Sequence, residues 1–373
     1  MRRLPAIAAI LMAAGMALAA GVEPAGASPW LSHPAALACG ALALLAAGWA
    51  ATPRSDSGLP ALLIGLLLGL PAPLILVDAY PAAGLALPGL WLYLAGLGLT
   101  AWCAMDRLAD IARPGDHRSK ALSLAAPVLF GFWLLYVWEV LVVGFGVPQI
   151  LLPAPHQIGH QLASQAPVLW SDFRQTFLKA VLAGWAAGCG LGFITAVIID
   201  RIPFLQRGLL PLGNLVSAVP VVGIAPIMVM WFGFDWPSKA AVIVVMTFFP
   251  MLINTLAGFA EVDAMSRDLM RAYGASYWQS FFKLRLPNAL PFIFNALKIN
   301  STLAMIGGIV AEFFGSPIAG MGFRISVEVA RMNVDVVWAT IAVAALAGSL
   351  FYWLIALVER NLTFWHASYR QRG

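Results

Sequence analysis

Ten stretches of this chain run for about the length of a membrane crossing with almost no charge in them. That feature decides the solvent in which the chain folds. They lie at 4–20, 34–51, 59–77, 84–104, 121–143, 174–199, 208–233, 238–257, 290–313 and 335–357. A hydrocarbon core about 30 Å thick takes roughly 20 apolar residues of helix. Inside it every backbone N–H and C=O needs an internal partner. The short alternating segments of a barrel are not seen, so helices are expected. Only 10% of the 373 residues are charged, whereas a soluble domain carries about 25%. That scarcity excludes a water-soluble enzyme, a disordered chain and a nucleic-acid binder, despite the net charge of +5. Cys39, Cys103 and Cys189 lie in apolar runs without metal or disulfide spacing and read as small core residues.

The Lys and Arg positions orient the chain, because cytoplasmic connections carry the basic excess. With the N-terminus inside, 16 of the 22 basic residues fall on the inner side, from Arg2 and Arg3 to Arg370 and Arg372. Five fall in or beside outer segments, and Lys298 sits within a helix. The expectation is a multi-pass membrane protein with both termini cytoplasmic. Arg2-Arg3, the apolar run and Ala17-Leu18-Ala19 also fit a signal peptide with its cleavage site; retention as a span is the preferred reading. A polar inner loop near 105–120 divides the chain. Residues 1–115 hold about four small, Ala/Leu/Gly-rich helices, and 116–373 hold six helices richer in polar and aromatic residues.

One connection is too long and too rich to be a simple loop. The segment 258–290 mixes four basic and three acidic residues with Leu, Met, Tyr, Trp and Phe. Asp263 to Tyr273 reads as a short helix ended by Gly274, which supplies the positive φ of a helix stop. Ser276 reads as the cap of a second short helix. Leu286-Pro287 is expected to stop that helix, and Pro291 to begin the next membrane crossing. A helix–Gly–helix hairpin with exposed aromatics suits a groove on a partner protein, or equally a lipid headgroup surface.

Asp268-Leu-Met-Arg-Ala-Tyr-Gly274, followed twelve residues later by Leu286-Pro287, resembles the cytoplasmic signature of permease subunits of bacterial binding-protein-dependent ABC importers. Trp138-Glu139, Leu152-Pro153-Ala154-Pro155, Val219-Pro220, Ala225-Pro226, Trp231-Phe232-Gly233, Ala311-Glu312, Gly320-Met321-Gly322 and Trp365 extend the likeness over roughly 120–370. Together they are similar to the nitrate/sulfonate/taurine class. The family's E-A-A reads Asp268-Leu269-Met270 here, an altered docking surface. The resemblance implies an all-α membrane protein: a six-helix ABC permease core preceded by about four extra transmembrane helices. It implies a homodimer of permeases in membrane lipid, two cytoplasmic ATPase subunits that bind the hairpins, and a periplasmic substrate-binding protein. ATP and Mg would be bound by the ATPase partner and no cofactor by this chain, which has no Gly-Lys pair and hence no phosphate-cradling loop. Asp268, Arg271, Ala272, Gly274, Leu286 and Pro287 are the coupling residues it implies. A substrate is expected among nitrate- or sulfonate-like anions and pyrimidine- or thiamine-precursor-like organic molecules.

Within the core, Gly184, Gly188 and Gly192 recur every four residues, a seam for close helix approach. Lys298 is the deepest charge and should face protein or water; with Asn300 on the same helix it is a candidate for the translocation path, or a side chain that snorkels. Glu312 and Glu139 lie near outer helix ends, as gate residues or as anchors. Gly320 and Gly322 beside Glu312 could flex as an outer gate. Pro220 and Pro226 interrupt their helix, as a path-lining kink or a plain bend. His156 and His160 have i, i+4 spacing but no third ligand, so no metal site is expected. An ion-gradient-driven secondary transporter is the alternative; it would show matched internal repeats, which are not found here, and would leave the hairpin unexplained.

Overall fold

The computed structural model describes residues 4–18, 29–51, 58–79, 88–111, 117–202, 220–315 and 318–365. Packing divides the chain into two compact units, 1–159 and 160–373. The boundary at 115/116 drawn from the sequence follows a change of composition and resemblance; the packing boundary falls 44 residues later.

In the first unit α1 is Leu4–Leu18, α2 Pro29–Ser32, α3 Pro34–Ala50, α4 Gly58–Gly69, α5 Pro71–Ala79, α6 Pro88–Ile111 and α7 His117–Gly144. Small residues bring these helices close: Gly69 has no room for a Cβ beside Leu97 and Ala43, nor Gly96 beside Ala8 and Met12. Helix α7 joins this unit through the Tyr136 hydroxyl, which donates to the Leu70 carbonyl at 2.8 Å. A short α8, Pro155–Ser164, contains the division between the units.

In the second unit α9, Ala166–Phe173, runs through a π-helical stretch, Arg174–Val181, into α10, Leu182–Asp200. Then come α11, Val221–Phe232, α12, Trp236–Ala260, and α13, Ala264–Ala272. Helix α14, Tyr277–Ser280, passes through a π turn, Phe281–Arg285, into α15, Leu286–Glu312. The chain closes with α16, Met321–Ala330, and α17, Val334–Leu362. Among the described residues, six helical stretches are long and apolar enough to cross a membrane: Gly58–Ala79, Leu124–Gly144, Ala166–Asp200, Trp236–Ala260, Tyr277–Glu312 and Val334–Leu362. Shorter apolar helices fall where three more crossings are expected, and α6 covers the tenth.

Two expectations about proline are corrected. Leu286-Pro287 does not stop a helix, and Pro291 does not begin one: residues 277–312 form one helical run with Pro291 inside it. The π turn resets the hydrogen-bond register just before Pro287, which sits in the first turn of α15, where its missing N–H costs little. Pro220 is not inside the described helix either. It is the extended N-cap of α11, with φ −65° and ψ 127°, whereas Pro226 is interior as expected. Residues 208–219 of that expected crossing lie outside the described residues.

Helix α12 is the axis of the second unit, packed between α10 and α15. The glycine seam sets its distance from α10: a Cβ on Gly184 would stand 2.8 Å from the Ala240 carbonyl oxygen, and one on Gly192 2.5 Å from that of Phe248. Gly188 meets the Thr247 hydroxyl, while Gly190 on the far side of α10 faces open space. On the α15 side, a Cβ at Gly258 would stand 2.9 Å from the Ala289 Cα. Asn300, fully buried, ties the three helices, its amide donating to the Thr247 carbonyl at 2.8 Å and to Cys189 Sγ at 3.1 Å. Forcing a side chain into so tight a seam costs about 1–3 kcal/mol or more. Gly192→Leu is therefore expected to lower the thermal stability of the purified chain markedly, and Gly190→Ala to leave it unchanged. Equal effects in a detergent melting assay would contradict this packing.

Candidate functional site

The hairpin is built as its residues dictate. Asp263 caps α13, accepting the Ser266 N–H. At its other end Gly274 (φ 63°) makes a left-handed stop, with Ala275 N–H bonded to the Met270 carbonyl and Gly274 N–H to that of Arg271. Ser276 and Gln279 then form a reciprocal capping box that starts α14 at once. Of the expected coupling residues, Asp268 and Arg271 form a loose, exposed pair at 3.4 Å, and Ala272 ends α13. Leu286 and Pro287 lie in the helix that follows.

What holds this hairpin is a pair the sequence reading did not single out. Asp200, the last residue of α10, takes both arms of the Arg285 guanidinium, each at 2.6 Å. The Tyr277 hydroxyl donates to the same carboxylate at 3.0 Å. Side-chain exposure is only 10% for Asp200 and 21% for Arg285, so solvent screens this fork weakly. Arg201 lies over the Tyr277 ring at 4.0 Å and the Trp278 ring at 4.9 Å. Arg285 also reaches the Phe259 carbonyl at 3.5 Å, near the end of α12. One arginine in the π turn thus connects the hairpin with α10 and α12.

At the opposite end of α15, three backbone N–H groups entering α16 are satisfied by side chains of other helices. Gly320 N–H donates to Asp172 at 2.8 Å, Met321 N–H to the Thr176 hydroxyl at 2.7 Å, and Gly322 N–H to Glu312 at 2.7 Å. The Thr176 hydroxyl in turn donates to Glu312 at 2.7 Å. Asp172 also accepts from Arg324 Nε at 2.8 Å. Burial works against the Arg324 charge, but Asp172 and Glu328 outweigh it and raise its pKa. Gly320 is doubly constrained, by φ 143° and by the Glu312 carboxylate 2.7 Å from where a Cβ would stand. The expected gate residues Glu312, Gly320 and Gly322 are thus brought together; Asp172, Thr176 and Arg324 complete the cluster.

Nearby, Lys239 is 1% exposed and points its ammonium at the Phe234 and Asp235 carbonyls and the Ser238 hydroxyl. Asp235 accepts from the Trp236 N–H and from Gln175, which hold its pKa below the ordinary carboxylate value. Gln175 and Thr176 both lie in the π stretch, a local geometry frequent at functional sites.

Two expected path residues have partners. Lys298 pairs with Glu359 of α17 at 2.7 Å, and the Ser301 and Thr302 hydroxyls bond back to carbonyls of their own helix. Glu139 accepts both the His156 backbone N–H at 3.0 Å and a 2.6 Å contact from its ring, anchoring the start of α8.

Removing one partner of a buried pair costs roughly 3–5 kcal/mol. Asp172→Ala, which strands the Gly320 N–H and leaves Arg324 only its longer contact with Glu328, is expected to destabilise the chain by about that much in an unfolding assay. Arg331→Gln, at a 64% exposed side chain, is expected to change stability little. Similar effects of the two would contradict the cluster as drawn.

Residues 188–364 match the family described as "Binding-protein-dependent transport system inner membrane component". A formylaminopyrimidine transport permease protein of Halalkalibacterium halodurans is 32% identical over 243 residues, covering 64% of this chain and 95% of the relative. A probable ABC transporter permease protein of Haemophilus influenzae is 30% identical, covering 63% and 95%. A taurine transport system permease protein of Escherichia coli is 29% identical, covering 62% and 86%. About a third of this chain therefore lies outside each alignment, while the relatives are matched over most of their length. Similarity of that extent, on an all-helical membrane fold, places the chain in the family of inner-membrane permease components of binding-protein-dependent ABC transporters.

Proposed function

We propose that the chain is the permease subunit of an ATP-driven importer, working as a homodimer with two cytoplasmic ATPase subunits and a periplasmic substrate-binding protein. The observation that carries this reading is the unbroken helical run from the hairpin to Glu312, clamped at its hairpin end by Asp200 and Arg285. Its 36 residues span about 54 Å at 1.5 Å per residue. A push on the hairpin by an ATPase would travel along this lever, and through α10 and α12, to the cluster around Glu312. There the N–H groups of Gly320, Met321 and Gly322 would act as a latch between closed and open states of the outer gate. Met265, Leu269 and Tyr273, 79%, 56% and 81% exposed, offer the ATPase an apolar face.

ATP and Mg would be bound by the ATPase, and the energy would enter this chain only as movement. Lys298 would meet a solute only when its pair with Glu359 opens, so its first role is to fasten α15 to α17. The substrate falls between small sulfonate-like anions and pyrimidine-like organic molecules, as the names of the relatives suggest.

Capture of the cognate ATPase by the purified chain tests the reading. Gly274→Val forces a β-branched residue to positive φ, at a cost of about 1–2 kcal/mol to the turn. It should sharply weaken capture and leave the membrane helices folded. Undiminished capture, ATP turnover by the chain alone, or solute movement in liposomes driven by an ion gradient without an ATPase would overturn it.

A second expectation concerns the Lys298–Glu359 pair. Lys298→Met should destabilise the chain, and Lys298→Met with Glu359→Leu should regain most of that loss. No recovery in the double variant would mean that the pair is not the main role of Lys298.

A further inference from the structure

The inner angle of the hairpin borders an open-sided cavity of about 370 Å³ whose wall, among the described residues, carries three guanidinium groups and no carboxylate. Arg267 and Arg271 come from α13, Ser276, Tyr277 and Ser280 from the start of the long helical run, and Arg285 from its π turn. These groups are not equally engaged. Arg285 is neutralised by Asp200, and Tyr277 donates to the same carboxylate. Among the described residues, Arg271 has only the exposed 3.4 Å side-chain contact with Asp268. Arg267 has no ion pair or side-chain hydrogen bond among the described residues. The Ser276 oxygen accepts the Gln279 N–H, which leaves its own proton to donate.

Helical spacing separates this corner from the apolar face of α13. At 100° per residue, Met265, Leu269 and Tyr273 fall within about 80° of each other, and Arg267 and Arg271 lie on the opposite side. A partner seated on the apolar face would leave the arginines turned into the corner. Converging guanidinium and hydroxyl donors suit a tetrahedral oxyanion, which accepts several charge-assisted hydrogen bonds at once. The volume lies in the usual range of small-molecule sites, well above what a lone carboxylate side chain fills.

We propose that this corner is a binding site for a phosphate-bearing anion, held by Arg267 and Arg271 and by the hydroxyls of Ser276 and Ser280. The phosphate can belong to a soluble compound or to a lipid headgroup. In either case the ligand bridges α13 to the start of the long helix and stiffens the angle between them. The proposal does not rest on the transport reading, because it concerns only what this chain binds.

The test uses the purified full chain in detergent with two probes. Inorganic pyrophosphate is titrated and followed by ³¹P NMR. Retention of phosphatidylglycerol against phosphatidylcholine is read by native mass spectrometry. The expected result is saturable binding of at least one probe, weakened about tenfold or more by R267Q/R271Q and unchanged by R331Q. Both substituted arginines are exposed, so the double variant should stay folded. Ser280→Glu, which puts a negative charge into the cavity, should have the same effect and serves if the double variant does not fold. Binding of pyrophosphate alone identifies a soluble source, and selective loss of phosphatidylglycerol a headgroup. If neither probe distinguishes these variants from the parent chain, the proposal is wrong. Loss of ATPase capture with both probes unchanged would likewise overturn it, by assigning the arginines to a protein carboxylate.

Discussion

Asp200 and Arg285 are 85 residues apart in sequence and 2.6 Å apart in space, and the arrangement of the second unit depends on their meeting. The pair lies where membrane helices end, a region in which an unpaired charge is poorly solvated. Each additional contact uses it as a fixed point. Tyr277 donates to the same carboxylate, and the Phe259 carbonyl lies 3.5 Å from Arg285. Arg201 stacks over the neighbouring rings. Without the fork, the start of the long helical run would be held to α12 mainly by the packing of Phe281 on Phe259 and would lose its tie to the end of α10. With it, α10, α12 and α15 share one anchor.

The far end of the same helices uses related chemistry for a different purpose. Carboxylates of Asp172 and Glu312 and the hydroxyl of Thr176 satisfy the N–H groups that open α16, a task usually left to local capping residues. Satisfying a helix start from distant helices couples that start to their positions. Between the two ends the glycine seam of α10 and the Lys298–Glu359 pair keep the helices in register. In the proposed importer, a displacement at the hairpin would be passed along these packed, hydrogen-bonded elements with little slack.

Local chemistry in the sequence foretold much of this. The apolar runs located the helices, the four-residue glycine repeat located the α10–α12 seam, and Asp263, Gly274 and Ser276 marked the ends of the hairpin helices. These signals are legible because each acts within a few residues of itself. The failures have a physical reason too. Reading Pro287 as a stop ignored the π turn before it, which moves the proline into a first turn where it is tolerated. Glu312 was legible from the resemblance, but Asp172, Thr176 and Arg324 were not, because their partners lie up to 152 residues away. An i, i+4 spacing of Asp172 and Thr176 on one helix face was the available hint. Lys298 looked like a lone buried charge until Glu359 met it from another helix.

In the proposed importer, the Asp200–Arg285 fork acts as a unit and sets the hairpin for an ATPase partner. A double-mutant cycle tests it most directly: the Kd for the cognate ATPase is measured for the parent chain, Asp200→Asn, Arg285→Met and the two combined. Each single change is expected to weaken binding substantially, and the double variant to bind no more weakly than the worse single one. Single variants that remain folded and bind as tightly as the parent, or losses that simply add, would contradict it.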